Sequence, residues 1–332
     1  MPCNITLHQG SPATVYFADN KRYSIGCLGC QNPRCIFLHE TEIDCAIINN
    51  FPLDHSLNAC PVDALKWDES LAKPVIDDEK CISCGICVSR CPVGALYFSD
   101  VGKLMINTEK GNYIENKKLD KNIQAHHLRQ IKALLSIPRS GVSLVASDCI
   151  FEDIYDKLFK INNTHQNIIV RNLLIALGCK CSMRRVGDVY TRMDAVYSSF
   201  DGSFGAVEIE FGKDTLDAAR GILDDIAVLN TRYGISKNIN KAIVVCLQLP
   251  NARQGYWQVV RDIKIIENIK IGIITVGALM ILLWNGCIFK PEGDRYYLDH
   301  DNMDLRSIIC KQIKCADISL NYKSLGILEN MK

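Results

Sequence analysis

The spacing of apolar and polar positions divides the chain into unlike parts. In the first third, short strand-like runs stand at Leu65–Trp67 and Leu96–Phe98, each shortly after a Cys-Pro pair. Residues 109–124 (EKGNYIENKKLDKNIQ) have no apolar periodicity and read as a linker. Ile123, Leu128, Ile131, Leu134 and Leu135 then predict an amphipathic helix over 123–137, stopped by Pro138. His126 and His127 within it face different directions and read as surface residues. Beyond Gly141 the periodicity predicts helices over 148–160, with Ser147 as N-cap, and 165–177, capped by Thr164 and closed by Gly178. Strands are expected over 181–186, 189–197 and 206–211, with hairpin chemistry at Phe200-Asp201-Gly202-Ser203 between the last two. A long helix from Asp214 to Tyr233 ends at Gly234. Strand 242–249, a helix around 257–263, strand 271–276 and helix 278–284 follow. The outline is α-β-β-β-α-β with additions.

Composition narrows the classes. The 332 residues suffice for two domains, and a net charge of +1 supplies no global basic field, so any nucleic-acid face must be local. Seventeen cysteines in clustered spacing suit a reducing, cytoplasmic setting rather than a disulfide scaffold. The start, Met1-Pro2-Cys3-Asn4, does not read as a signal peptide. Residues 271–289 are uncharged, but Gly272, Thr275, Gly277, Asn285 and Gly286 split them into a strand and a short helix. A buried pair is expected there and no membrane association. No G-x-x-x-x-G-K-[ST] occurs, so opening or translocating DNA would fall to a partner ATPase.

The most specific chemistry is Cys81-x2-Cys84-x2-Cys87-x3-Cys91-Pro92. Three thiolates on one short loop can each reach a different iron of one 4Fe–4S cube, while Gly85 permits close backbone approach. Zinc sites more often use two separate C-x2-C knuckles. Upstream lies a looser copy, Cys27-x2-Cys30, Cys35, Cys45 and Cys60-Pro61, and Cys60-Pro-Val-Asp-Ala-Leu repeats in Cys91-Pro-Val-Gly-Ala-Leu. Over residues 20–108 this resembles the bacterial-type two-cluster ferredoxin, an α+β fold. The resemblance implies one cluster on Cys81, Cys84, Cys87 and Cys60, and a second on Cys27, Cys30, Cys35 and Cys91. The upstream half departs from the pattern: Cys30 and Cys35 are separated by four residues, and Cys45 lies in a long insertion. Cys35 and Cys45 therefore compete for one ligand position, and a single-cluster form stays open.

The second candidate site lies on the third predicted strand. In Val207-Glu208-Ile209-Glu210-Phe211 strict alternation puts Glu208 and Glu210 on one face, and Asp194 interrupts an apolar run across the hairpin. Converging carboxylates are tolerated on a solvated face or around a hard cation such as Mg2+ or Mn2+. Asp194-x13-Glu208-x-Glu210, with a helix before and a long helix after, resembles the PD-(D/E)xK nuclease superfamily over residues 142–285. That fold is α/β and restriction-endonuclease-like, with a central mixed sheet. By that resemblance Asp194 and Glu208 hold the metal. The family's usual lysine is Glu210 here, and Lys213 lies close by in sequence. Arg184, Arg185, Arg192, Lys213 and Arg220 are candidates for phosphate contact. Tyr256-Trp257 reads as core more readily than as a stacking pair, and Glu152 is an additional candidate carboxylate. Cys179, Cys181, Cys310 and Cys315 lack partners at metal spacing and read as buried or free thiols.

The expected organisation is a ferredoxin-like domain over 1–108, a linker and helix over 109–140, and a nuclease-like domain over 141–332. The expected function is metal-dependent DNA endonuclease activity in defence or restriction. The alternatives are an electron-transfer protein whose C-terminal domain binds a redox partner protein, and a silent nucleic-acid-binding domain.

Overall fold

The structure, a computed structural model, describes residues 14–16, 22–24, 33–45, 48–71, 73–91, 96–98, 103–106, 153–212, 215–302 and 304–314. The expected linker and 123–137 helix, together with Cys27, Cys30, Glu152, Lys213 and Cys315, lie outside these residues.

The N-terminal part holds three two-stranded antiparallel ribbons: β1 (Thr14–Tyr16) with β2 (Arg22–Ser24), β3 (Leu65–Asp68) with β4 (Lys73–Ile76), and β5 (Leu96–Phe98) with β6 (Leu104–Ile106). Two short helices accompany them, α1 (Glu40–Ile43) and α2 (Ile86–Arg90). Strands β3 and β5 follow the two Cys-Pro pairs, as the repeat predicts.

The C-terminal part is built on a five-stranded mixed sheet in the order β11-β10-β9-β8-β7. Helix α3 (153–160) and helix α4 (Asn163–Ala176) lead into an antiparallel meander of β7 (Lys180–Met183), β8 (Ala195–Ser198) and β9 (Phe204–Glu210). Helix α5 (Leu216–Tyr233) crosses over to β10 (Ile243–Cys246), parallel to β9. Helix α6 (Tyr256–Glu267) crosses to β11 (Gly272–Thr275), parallel to β10. Helix α7 (Val276–Trp284) follows directly, and α8 (Leu305–Ile313) closes the described chain. All nine residues of α7 are buried, consistent with its apolar sequence. Among the described residues no helix is long and apolar enough to cross a membrane.

Two expectations need correction, and one element lies outside them. The cap of α4 is Asn162, whose side chain accepts from the His165 N–H at 2.9 Å, rather than Thr164. The strand expected over 189–197 begins only at Ala195, because side chains take the backbone of residues 190 and 191: the Asp188 carboxylate accepts the Tyr190 and Thr191 N–H groups and the Arg184 guanidinium donates to the Thr191 carbonyl. Helix α8 has no counterpart in the pattern of the sequence. By contrast, the hairpin turn stands where expected. Gly202 adopts φ +82° there, and Ser199 and Ser203 are joined through their backbones.

The two parts share one apolar core. Residues on either side of 46–47 bond to β7: Cys45 N–H donates to Ser182 Oγ (2.9 Å), Ser182 Oγ–H donates to the Ile43 carbonyl (2.7 Å), and Asp54 N–H donates to the Met183 carbonyl. Two fully buried residues of α4 complete the seam. The Asn172 amide donates to the Asn58 and Ala59 carbonyls, while Arg171 reaches Ser56 and Asp54.

Candidate functional site

The cysteine site is assembled by the loop that opens α2. Gly85 is its N-cap with φ +83°, a left-handed conformation costly for any residue with a Cβ. A second constraint is steric: a Cβ at Gly85 would stand 2.5 Å from the Trp284 indole nitrogen. Trp284, the last residue of α7, donates its indole N–H to the Cys84 carbonyl at 2.9 Å. Lys157 of α3 donates to the Cys81 carbonyl at 3.1 Å. The C-terminal part thus holds the cysteine loop by two of its carbonyls. Close approach of Trp284, as well as any approach to sulfide, requires the glycine.

Cys60, Cys81, Cys84 and Cys87 line one pocket, walled by Ile82, Ile86, Phe98 and Leu104. Burial pushes the Cys84 and Cys87 thiols up, and their proximity to Cys60 and Cys81 pushes them further. Thiolates so crowded in an apolar wall require compensating cations. Among the described residues no three His, Cys, Asp or Glu are drawn together as one metal ion requires. A cube with iron at its corners instead takes one thiolate per corner and needs room between them, which suits this donor set.

The position of Cys45 distinguishes it from Cys35. Its thiol donates to the Val196 carbonyl at 3.4 Å, on the sheet, beside Cys179 and Cys181. Cys35 is the one close to Cys87. Arg90, inside the C-x3-C run, fixes that arrangement. Its nearly buried guanidinium grips both Glu42 oxygens (2.8 and 3.1 Å) and the carbonyls of Arg34 (2.9 Å) and Phe37 (3.3 Å), clamping the segment that carries Cys35. Cys179, Cys181 and Cys310 are buried, as the sequence suggested.

The acidic site lies at the Glu208 end of β9. Register places Ala195 opposite Val207, so Asp194 just before β8 meets Glu208. The Asp194 carboxylate accepts the Ile209 N–H at 3.0 Å and has the Arg184 guanidinium at 3.6 Å. Burial is the main cause of its raised pKa. Glu208 is pushed much further, by burial first and then by Asp194, Asp225 and Glu210. Asp225, on α5, is 1% exposed and contacts Glu208, and it too is raised by burial and by Asp194. Their hydrogen bond raises Glu208 and lowers Asp225, the pattern of a carboxyl donating to a carboxylate. The other Asp225 oxygen, Oδ2, is buried without a hydrogen-bond partner. Gly221 of the same helix makes the approach possible, because a Cβ there would lie 2.9 Å from Glu208 Oε1.

Sequence pattern does not reveal Asp225, since Asp224-Asp225 within an amphipathic helix looks like its solvated face. Glu210 turns to its own strand end and accepts the Gly212 N–H at 2.6 Å. Among the basic candidates, Arg192 pairs with Asp224 (3.1 Å), Arg220 with Asp217 (3.6 Å), and Arg185 is exposed. Tyr256 and Trp257 are fully buried, edge to face, in the core.

Comparison with known proteins bears mainly on the cysteine site. The curated relatives include an uncharacterized ferredoxin of Methanocaldococcus jannaschii, 42% identical over 41 residues, which are 12% of this chain and 26% of that protein. The polyferredoxin-like subunit of an aliphatic sulfonate oxidoreductase of Pyrococcus furiosus is 53% identical over 36 residues, 11% of this chain and 21% of that one. A tetrathionate reductase subunit of Archaeoglobus fulgidus is 36% identical over 76 residues, 23% and 26% of the two chains. The matches thus span about a quarter of each relative. Among solved structures, restriction endonuclease FokI aligns over 48% of this chain and 34% of its own, at 13% identity and a TM-score of 0.33, a likeness that carries no inference about activity. Residues 74–97, which include Cys81, Cys84, Cys87 and Cys91, match the 4Fe-4S binding domain family: this chain carries a ferredoxin-type iron–sulfur domain.

Proposed function

We propose that the chain is an iron–sulfur nuclease, hydrolysing phosphodiesters of DNA at the Glu208 end of the mixed sheet with Mg2+ or Mn2+. The observation that carries this reading is the facing of Asp194 and Asp225 onto Glu208 in a partly buried site, spaced more widely than the ligands of one closed metal cage, with one buried carboxylate oxygen left unpartnered. Three carboxylates in low dielectric repel one another and retain protons, unless a cation replaces them. The helix, three-stranded meander, helix and parallel strand around them have the order expected of the PD-(D/E)xK core. Mg2+ keeps several waters and uses one or two carboxylates, so Asp194 and Glu208 suffice as ligands without a closed protein cage. When bound, such an ion polarises the scissile phosphate and lowers the barrier to attack by water. The chain's own part is to hold Asp194 through the Ile209 N–H and Arg184, to keep Glu208 against α5, and to exclude bulk water on that side. Glu210 stands where the related nucleases usually carry lysine. Lys213, the neighbouring candidate for that positive charge, lies outside the described residues.

In this reading Cys60, Cys81, Cys84 and Cys87 hold one 4Fe–4S cluster. Cys35 and Cys91, with Cys27 and Cys30, are the ligands of a second. The clusters fix the N-terminal part against α7 and α3. The direct test is incubation of anaerobically purified protein with labelled single- and double-stranded DNA, with Mg2+, with Mn2+ and with EDTA. Metal-dependent cleavage supports the reading, and none with a fully loaded cluster refutes it.

A second reading, electron transfer to a redox partner, is favoured by the names of the matched relatives, a ferredoxin and subunits of two oxidoreductases. It predicts reversible cluster reduction by physiological donors and no cleavage.

A further inference from the structure

The loop joining β7 to β8 combines exposure with order. Val186, Val189 and Tyr190 are 69%, 79% and 81% exposed, three large apolar side chains within five residues. Such a group is costly to leave in water unless a partner covers it. The loop is nevertheless held firmly. Asp188 Oδ1 accepts the Tyr190 and Thr191 N–H groups (3.0 and 2.7 Å), the Arg184 guanidinium donates to the Asp188 and Thr191 carbonyls (3.3 and 2.8 Å), and Arg232 of α5 donates to the Tyr190 carbonyl (3.4 Å). On its other side Arg185 N–H donates to the Pro52 carbonyl. Gly187, at φ +86°, permits the turn. The polar groups are thus spent on fixing the loop, and the apolar ones are presented outward.

Charge identifies the occupant. The loop carries three arginines against Asp188: Arg184 is engaged with the loop carbonyls and Asp194, Arg192 forms a surface ion pair with Asp224 (3.1 Å), and Arg185 is exposed. The Asp188 carboxylate is turned inward to the backbone. An exposed tyrosine flanked by two valines, with Arg185 exposed and Arg192 at the surface on the same loop, suits a ligand with flat apolar faces and a regular line of anions: a nucleic-acid strand with unpaired bases. Arg184 also links the loop to the acidic site, since the guanidinium that binds the loop carbonyls stands 3.6 Å from the Asp194 carboxylate.

We propose that the 184–192 loop is the nucleic-acid contact of this chain. Tyr190 stacks on an unpaired base, Val186 and Val189 flank it, and Arg185, with Arg192 exchanging its exposed Asp224 partner, meets the adjoining phosphates, in fixed register with the acidic site. This inference rests on the nuclease reading for its choice of ligand, and its test separates the two.

The full-length, cluster-loaded protein is titrated in EDTA with a fluorescein-labelled single strand and with the same sequence fully paired, using Tyr190→Ala, Tyr190→Phe and Arg185→Gln/Arg192→Gln. The expected results are about tenfold weaker single-strand binding for Tyr190→Ala and near wild-type binding for Tyr190→Phe. The double arginine variant should have a salt dependence shallower by about 0.7 per lost contact. A 2-aminopurine base in the strand should be quenched by wild type and not by Tyr190→Ala. Tyr190→Ala binding as wild type does, or the protein binding neither nucleic acid, overturns the proposal. So does a change of oligomeric state in Val186→Asp on sedimentation, which would give the patch to a second copy of the chain. Tyr190-dependent binding without cleavage in Mg2+ supports the loop assignment while refuting hydrolysis.

Discussion

Replacing Glu208 by glutamine isolates the electrostatic cost of the acidic site. Burial, Asp194 and Asp225 raise the Glu208 pKa to about 9. A carboxyl whose folded pKa lies above its unfolded value favours the fold below the unfolded value. That contribution is lost as pH rises through the folded pKa. For Glu208 the window runs from the ordinary glutamate range to about 9. At pH 8 an isolated group so shifted would cost about 5 kcal/mol relative to its protonated form, and sharing of the proton with Asp225 reduces this to roughly 2–3 kcal/mol. Glutamine cannot ionise and still offers an N–H to Asp225. Glu208→Gln is therefore expected to raise the melting temperature at pH 8 by about 5 °C and to flatten its fall between pH 5 and 9. Comparing wild type and variant at equal iron content cancels the titration of the cysteines. Mg2+ competes with protons, so it should raise the melting temperature of wild type at pH 8, little at pH 5, and not that of the variant. An unchanged pH slope in Glu208→Gln would refute the electrostatic account of the site.

Other predictions concern the cysteine loop. Gly85→Ala combines a left-handed backbone, about 1–2 kcal/mol, with loss of the indole bond to Cys84, about 1 kcal/mol. It should hasten bleaching of the brown chromophore by a chelator, and Trp284→Phe should do so more weakly. Cys45→Ala should retain wild-type iron content, because its thiol is engaged with Val196, whereas Cys60→Ala should lose iron; iron analysis of both variants decides. Arg90→Ala removes the guanidinium from the half-buried Glu42 and from the Arg34 and Phe37 carbonyls, and should lower stability by about 3 kcal/mol in urea unfolding.

Much of this organisation was legible from periodicity and punctuation. Strict alternation in Val207–Phe211 located β9 and the shared face of its glutamates, and Gly234 and Gly178 marked helix ends. The Cys-Pro repeat anticipated β3 and β5. What escaped depends on contacts between distant segments. Asp225 reads as surface until α5 is packed on β9, and Gly221 reads as a weak helix position until Glu208 fills the space above it. Val189–Asp194 has strand-like composition, but Asp188 captures its backbone in a local turn, so the tyrosine expected inside the sheet stands in solvent. Tyr256-Trp257, the aromatic pair visible in the sequence, went to the core. The reason for Gly85 lay two hundred residues away, in the indole of Trp284.

The central claim is hydrolysis at the Glu208 site, and cleavage by Glu208→Ala beside wild type tests it most directly. Both proteins would be purified anaerobically, matched for iron content and chromophore, and incubated with labelled DNA in Mg2+ and in EDTA. The account predicts cleavage by wild type only with the metal, and none by Glu208→Ala while its chromophore stays intact. Equal cleavage by both, or none by either with clusters fully loaded, would contradict it.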